Sequence, residues 1–449
     1  MKKKLLLVNP IARWINRKSI FLKNYIAAPF QPLSLGVIAA LTPDNWDIEI
    51  HDEIFKPFTY READLVGITC FTGSATRAYE IAKICKSHGT PVVMGGIHVS
   101  QLPEEALQFA DSVVVGEAEG VWGQLISDFE SGNMQQIYKG EHLPMKNMPM
   151  PRHDLLGDGY MTTSVQTSRG CPMDCDFCSV SAFNGRDYRK RPVEEVLDEL
   201  EKISQKRIFF LDDNFIEKGK EGEERALKLF KGMIDRKLNK YWGCQTSIRV
   251  ADNEEVLHYA FKAGCRVMLL GIESEKETAL KNLNKKINMN HFDHYDEVFK
   301  RIHKHRIGII GTLIFGMDTD TADDLLQRAR FIKKSRIDAV QPAILTPFPG
   351  TKLYDDFMKN NRILFTDYPA DWGRYDWSDI VYTPALMSRE EMKKTMIKCW
   401  ESLGNWRTVV SKFLRTLYYT RSLETGLTML NINYIYRTQY YFEKFQGKD

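Results

Sequence analysis

No sign of charge dominates this 449-residue chain: 62 Lys and Arg stand against 59 Asp and Glu, for a net charge of +3. A chain so balanced has no overall basic footprint for gripping phosphates, and no nucleic-acid partner is expected. Long uncharged apolar runs are missing as well, which excludes a sequence segment of the length that crosses a bilayer. The start, Met1-Lys2-Lys3-Lys4-Leu5-Leu6-Leu7-Val8, is basic in the manner of a secretory leader. Its apolar stretch stops at Asn9-Pro10, however, with no small-residue cleavage site behind it. It reads as a buried first strand, and the protein as cytoplasmic. Nothing in the cysteine spacing suggests a disulfide framework. Five of the eight cysteines, Cys70, Cys85, Cys244, Cys265 and Cys399, are scattered singly and read as small core hydrophobes. The other three crowd into residues 171–178, which in a cytoplasmic chain points to metal and not to disulfides.

What is present is ordinary globular composition, 43% hydrophobic and 27% charged, at a length that calls for two or three cores. Residues 1–140 alternate short apolar runs (5–8, 48–51, 65–69, 92–94 and 112–115) with stretches of helical periodicity such as 33–41 and 75–86. That alternation predicts a Rossmann-like, doubly wound parallel sheet, whose ligands bind beyond the carboxyl ends of the strands. Those ends carry Phe71-Thr72-Gly73-Ser74, Gly95-Gly96-Ile97-His98 and Gly116-Glu117-Ala118-Glu119-Gly120, where glycines let backbone amides approach a ligand. Residues 141–160, with Pro144, Pro149 and Pro151, read as a linker.

A second alternating series occupies 161–365, with strands expected at 163–168, 207–211, 243–248, 267–272, 308–315 and 339–345. Helices such as 193–203, 223–236, 253–263 and 323–334 fall between them. Six strand–helix units in succession predict a partial (β/α)6 barrel of TIM type, with function at the strand C-termini. From 366 to 449 the pattern turns helical and aromatic. Residues 401–449 hold ten aromatics, and seven Lys or Arg against four acids. This helical C-terminal extension is expected to cap the barrel mouth with its tyrosines, or else to present a peripheral membrane surface.

Chemistry concentrates in Thr167-Ser168-Arg169-Gly170-Cys171-Pro172-Met173-Asp174-Cys175-Asp176-Phe177-Cys178-Ser179. Thiolates suit iron, and a cubane cluster is saturated by one thiolate on each of its irons. Three cysteines, with no fourth nearby, would leave one iron open to an exogenous ligand. The other readings are a three-cysteine zinc site and three core cysteines. A structural zinc site closes its fourth position, and no His or Cys follows at a suitable spacing. The CxxxCxxC spacing, with an aromatic before the third cysteine and a strand before the first, favours the cluster.

This segment resembles the signature of the radical S-adenosylmethionine (SAM) superfamily. The resemblance implies a 4Fe–4S cluster on Cys171, Cys175 and Cys178, whose open iron chelates the amino and carboxylate groups of SAM. One electron from the cluster then cleaves SAM to a 5′-deoxyadenosyl radical. By the same resemblance the backbone of Phe177 meets the adenine, and Asp213 and Asn214, at the end of the second barrel strand, meet the methionyl amino end. Ser247 and Arg249 after the third strand, with Glu273 at the end of the fourth, are similar to positions that hold the ribose and carboxylate, and Arg249 suits a carboxylate clamp. A doubly wound domain in front resembles the cobalamin-binding subgroup, through Gln31-Pro32-Leu33-Ser34-Leu35-Gly36 and the two glycine-rich ends at 95–98 and 115–120. That implies cobalamin held by Ser74, Gly95, Gly96, Gly116, Glu117 and Gly120. The chain departs from the best-known cobalamin modules in having no DxHxxG, and His98 reads as a loop residue, not a cobalt ligand. The other reading of this domain is a degenerate Rossmann scaffold.

A cobalamin beside a SAM radical site implies methyl transfer to an unactivated carbon of a small-molecule or lipid-like substrate, such as an isoprenoid or a tetrapyrrole. A second SAM would restore the methyl on cobalt, and a one-electron reductant such as flavodoxin or ferredoxin would feed the cluster. Cyclisation, ring rearrangement and hydroxylation use the same cofactors. A non-catalytic cobalamin or cluster sensor is the reading from another class, and the complete cysteine triad with its polar strand ends argues against it.

Overall fold

The computed structural model describes residues 2–12, 30–157, 159–217 and 219–442. Phe445, one of the C-terminal aromatics, lies outside them. The first sheet holds β1 (Lys3–Asn9), β2 (Trp46–Asp52), β3 (Leu65–Thr69), β4 (Val92–Gly95), β5 (Ser112–Gly116) and β6 (Ile137–Gly140). Its order is β2-β1-β3-β4-β5-β6, and every pairing is parallel. Helices α1 (Leu33–Leu41), α2 (Ala75–Ser87), α3 (Ile97–Gln101), α4 (Pro103–Ala106) and α5 (Trp122–Glu130) connect the strands. Because helices cover both faces, the strands are apolar on successive residues: Leu5 and Leu7 enter one core with Leu35, Trp122 and Leu125, while Leu6 and Val8 enter the other with Ile68, Tyr79 and Met94. The order reverses between β1 and β3, which opens a crevice beyond their carboxyl ends. Sequence periodicity missed β6, an edge strand in which only Tyr138 is buried.

The second sheet runs in plain chain order. From one edge it reads β7 (Thr163–Val165), β10 (Arg207–Phe210), β11 (Tyr241–Thr246), β12 (Cys265–Glu273), β13 (Gly308–Phe315) and β14 (Ala339–Ile344), all parallel. Consecutive strands placed side by side make every crossover turn the same way, so the sheet curls into a partial barrel. Helices α7 (Val193–Lys202), α8 (Lys220–Asp235), α9 (Glu254–Lys262), α10 (Glu277–Asn282), α11 (Tyr295–Lys304) and α12 (Ala322–Lys334) lie in the crossovers. The expected strand at 163–168 is in fact two pieces. After β7 the chain breaks and restarts as β8 (Ser168–Arg169), paired antiparallel with β9 (Arg189–Lys190). That short ladder closes a loop containing the three clustered cysteines and α6 (Ser179–Phe183).

After the barrel come α13 (Lys352–Lys359), α14 (Arg389–Gly404), α15 (Trp406–Thr420) and α16 (Leu423–Phe442). Among the described residues the tyrosine-bearing helices of the extension do not cover the barrel mouth; the segment before them reaches it, with Tyr382 donating to Gly316 O after β13 and Trp377 O accepting from Ile344 N at the end of β14. On β13, Ile309 and Leu313 face the outer helices, whereas Ile310 on the opposite face packs with Ala339 and with Met429 of α16. Val267, near the start of β12, and Ile432 join this contact. Thus α16 covers the concave face near the strand N-termini, the end away from the cysteines. The reason is space: a six-stranded barrel leaves its inner apolar residues uncovered, and a helix fills that gap.

The two sheets are joined at several points. Gln31 and Ser164 exchange three hydrogen bonds at 3.1–3.3 Å. Tyr160 donates to Asp52 at 2.5 Å, and Arg152 N donates to Gly36 O at 2.9 Å. The stretch 141–160 is bonded to both neighbours, since His153 also meets Glu199 of the barrel's α7 at 2.9 Å. A further strap, residues 368–376, lies on the first sheet's helices. Its Trp372 stacks on Tyr368 at 3.8 Å and donates to Glu105 of α4 at 3.0 Å. No helix among the described residues is long and apolar enough to cross a membrane.

Candidate active site

The cysteine loop projects from the barrel wall and is clamped by backbone contacts on both sides. Gly170 N donates to Asp213 at 3.3 Å, and Cys171 N to Gly185 O at 3.3 Å. Around Cys175, Asp176 N donates to Leu283 O at 3.2 Å, and the Asn284 side chain donates to Asp174 O at 2.6 Å. Leu353 N, at the start of α13, donates to Asp176 O at 3.0 Å. Cys175 is buried, and Cys171 and Cys178 are half-buried. Burial raises all three thiols above their ordinary range, Cys175 to about 12. Lys285 opposes that rise at each of them.

Polar strand ends surround this loop. Asp213, after β10, is pushed up to about 6 by burial, with Asp212 adding to the rise and the Asn184 amide at 3.0 Å resisting it. Asp212 is fully enclosed and accepts from Thr167 and Ser168. Asn214 is spent within the protein: it accepts from Ser247 N at 2.9 Å and donates to Ile216 O at 3.1 Å. Arg249 folds back towards Asp252 at 3.7 Å, and its side chain is 36% exposed. Glu273, at a positive φ of 60°, is buried and bonded to Lys285 at 2.8 Å and to Thr312 at 3.2 Å. Phe177 lies beneath the Lys285 ammonium, 6.0 Å from ring centroid to nitrogen. Lys285 and Thr312 escaped the sequence reading, because Lys285 sits in Lys281-Asn282-Leu283-Asn284-Lys285-Lys286 and looks like part of a solvated polar run.

The end of β5 reaches across to this loop. Glu117, 4% exposed, accepts from Arg189 at 2.5 and 2.9 Å and faces Arg169 at 3.3 Å. Glu119 accepts from the same Arg169 at 2.6 Å. Arg169 stands two residues before Cys171, so the first sheet grips the root of the cysteine loop. Burial pushes the Glu117 carboxyl up, but Arg189 and Arg169 prevail and hold it below the usual carboxylate range.

Residues 165–332 match the radical SAM superfamily, and residues 23–126 match the B12 binding domain. Across 383 residues the chain is 32% identical to bacteriochlorophyllide d C-12(1)-methyltransferase of Chlorobaculum tepidum, covering 82% of this chain and 81% of that one. It belongs to the radical SAM superfamily. The bacteriochlorophyllide d C-8(2)-methyltransferase of the same organism is 30% identical, over 90% of this chain and 91% of its own. In fold, this radical SAM enzyme is similar to the radical SAM methyltransferase TsrM of Kitasatospora setae solved with cobalamin and a [4Fe-4S] cluster. The TM-score is 0.69 at 16% identity, with 97% of this chain and 99% of that one covered. Its cofactors are a 4Fe–4S cluster, SAM and cobalamin.

The residues present fit these groups. Among the described residues no three His, Cys, Asp or Glu side chains converge closely enough for a single metal ion. A cubane does not need such convergence on one ion, because it takes each thiolate on a different iron. Raised thiol pKa values mean that loading iron must release protons. For cobalamin, the switch in strand order lies between β1 and β3, which are followed by residues 10–12 and 70–74. Gly96 there, at φ 106°, has room for no side chain, since a Cβ would stand 2.6 Å from Cys70 O. Gly116 is likewise closed to a side chain by Gly140 O, whereas a Cβ at Gly95 or Gly120 would make only ordinary contact with Val114 or Leu143. The Ser74 hydroxyl donates to Phe71 O at 3.1 Å. His98 is not in a loop but in α3, 1% exposed, with its two ring nitrogens 3.3 Å from Thr72 and Glu105. It is thus closed to cobalt.

Two expectations follow. Cys175→Ala should reduce bound iron from about four per chain to near zero after anaerobic reconstitution and abolish SAM cleavage, while cobalamin binding persists; iron and cobalt analysis of the purified variant reads this directly. Glu117→Gln removes the carboxylate partner of Arg189 and one of the two beside Arg169, at a cost of about 3 kcal/mol. Because the folded carboxyl titrates below its unfolded value, its contribution is complete above the unfolded pKa and lost as pH falls. The apo variant should melt several degrees below wild type at pH 7, with the gap narrowing only as pH falls below 4.5 in paired thermal scans.

Proposed function

We propose that this enzyme methylates an unactivated carbon of a lipid-like or macrocyclic small molecule. The observation that carries the reading is the Glu117–Arg169–Glu119 junction, which fixes the B12-binding sheet against the cysteine loop. In the proposal, Cys171, Cys175 and Cys178 hold the cluster, and Asp213, Glu273 and the Phe177 backbone border SAM. Arg249 is exposed enough to swing towards the SAM carboxylate, and Ser247 stands beside it. Asn214 acts by holding Ser247 in place. The backbone at Phe71–Ser74 and Gly95–Gly96 borders the corrin, with Gly116 and Gly120 shaping the next strand end and Glu117 serving as the joint. When bound, the cofactors supply a 5′-deoxyadenosyl radical and a transferable methyl group. The protein's part is to orient the substrate between the two sheets and to exclude water. The bacteriochlorophyllide specificity of the relatives supports a tetrapyrrole as the first substrate class to test. The half-buried cysteine loop, flanked by Lys352 and Arg186, is the side for an acidic one-electron reductant of the flavodoxin or ferredoxin kind.

The test is incubation of reconstituted enzyme with methyl-deuterated SAM and candidate tetrapyrroles or isoprenoids, followed by mass spectrometry. Methylation requires product bearing the labelled methyl, with equal amounts of 5′-deoxyadenosine and S-adenosylhomocysteine. Deoxyadenosine formed with an unlabelled, cyclised or hydroxylated product would overturn methyl transfer and keep the radical enzyme.

A membrane surface is the second part of the proposal. Trp406, Val410, Leu414 and Tyr418 follow one another at four-residue spacing on α15 and are 46–78% exposed. Next to Tyr418 lies a cleft formed by Lys300, Lys304, Arg306, Arg336 and Arg421, whose five cations outnumber the two acids paired with them, Asp296 and Glu254. An apolar stripe beside fixed positive charge suits an anionic lipid surface. Sedimentation with anionic vesicles at low salt should exceed that with neutral vesicles, and Leu414→Glu should remove the difference; equal sedimentation with both, or a second copy occupying the stripe in solution, would refute it.

A further inference from the structure

The positive charge acting on all three thiols does not come from the expected residues, which bring the acids Asp213 and Glu273 instead. It comes from Lys285, and the route is structural. The turn Leu283-Asn284-Lys285 leaves α10 with Asn284 at φ 54°. Leu283 O accepts from Asp176 N and the Asn284 side chain donates to Asp174 O, on the two sides of Cys175. This stitching carries the Lys285 ammonium to the ring of Phe177, between the second and third cysteines, and to Glu273 at 2.8 Å. Both side chains are nearly sealed, 14% and 8% exposed. Thr312 steadies the other Glu273 oxygen. The pair leans over Gly271, where any Cβ would stand 2.9 Å from both charged atoms. Burial acts against the ammonium, but Glu273 and the thiols of Cys175 and Cys178 outweigh it, and Lys285 stays charged.

The geometry points to the Lys285–Glu273 pair as the charge balance that sets the reduction potential of the cluster. The inference rests on the reading that Cys171, Cys175 and Cys178 hold that cluster. Reduction adds one electron to a group that is already anionic with its thiolates. A fixed ammonium in a poorly solvated pocket favours that electron, and the carboxylate beside it subtracts part of the effect. Each is a positioning residue acting through the field, and their effects have opposite sign. At a separation of about 10 Å and an effective dielectric near 20, one unit charge changes the reduction equilibrium about tenfold, or about 59 mV for a one-electron couple.

The experiment is an EPR-monitored redox titration of the full chain, anaerobically reconstituted and free of SAM, with iron content measured on every sample. Lys285→Met should lower the potential by about 59 mV, the tenfold change above, and Glu273→Gln should raise it by a similar amount. The double variant should return close to wild type, and Lys285→Arg should keep the wild-type value. Singles that move together, or do not move, overturn the inference, because mere loosening of the loop has no sign. If Lys285→Met takes up no iron, the upward shift of Glu273→Gln and the unshifted Lys285→Arg decide the matter. Wild-type protein without iron would sink the cluster reading itself, whereas four irons with unshifted potentials would sink only this inference.

Discussion

Two carboxylates and two guanidiniums at the seam between the sheets set the geometry of the whole molecule. Glu117 and Glu119 end the fifth strand of the first sheet, and Arg169 and Arg189 belong to the short ladder that closes the cysteine loop. Charges this poorly solvated are tolerable only when fully paired, so the junction admits little play. It therefore acts as a ruler: the distance from the B12-binding sheet to Cys171 depends on side chains that cannot leave one another cheaply. Gln31 with Ser164, and Trp372 with Glu105, hold the same two bodies from other directions.

Within that frame the cysteine loop borrows its shape from its neighbours. It has almost no regular structure of its own, and its backbone groups are satisfied by Leu283, Asn284, Leu353 and Asp213 from three other parts of the barrel. Such an arrangement suits a cluster site. The loop can be as irregular as chelation requires, while rigid strands and helices supply its precision. The same contacts explain why charge is placed with such economy. Lys285, paired with Glu273, reaches the thiols from the turn beyond α10 as a cation acting on all three, and the pair is largely shielded from solvent.

The C-terminal helices meet a different need. A barrel of six strands cannot close, and its concave face would expose Val267, Leu269 and Ile310. α16 covers them near the strand N-termini, leaving the opposite end free for chemistry. α15, stacked outside it, keeps Val410, Leu414 and Tyr418 exposed on its outer face.

Much of this was legible in the sequence because it depends on local pattern. Apolar runs at 65–69 and 308–315 coincide with β3 and β13, since a strand covered on both sides must be apolar on successive residues. The spacing of Cys171, Cys175 and Cys178, and their place after a strand, pointed to the superfamily for an equally local reason: chelation by one short loop is written in residue intervals. The edge strand β6, with one buried side chain, left no such trace, and the break between β7 and β8 is a matter of partners, not of composition. Partners were also what periodicity cannot report at the site. That Glu117 turns to Arg189, that Asn214 is consumed by Ser247, that His98 is sealed in α3, and that Lys285 lies against the cysteines all depend on which distant segment arrives beside them. The sequence by itself determined the two parallel sheets and the chelating loop, because periodicity and spacing act over a few residues. Tertiary structure alone decided the seam, the charge beside the thiols and the end of the barrel that α16 covers, because each is a meeting of residues tens to hundreds of positions apart.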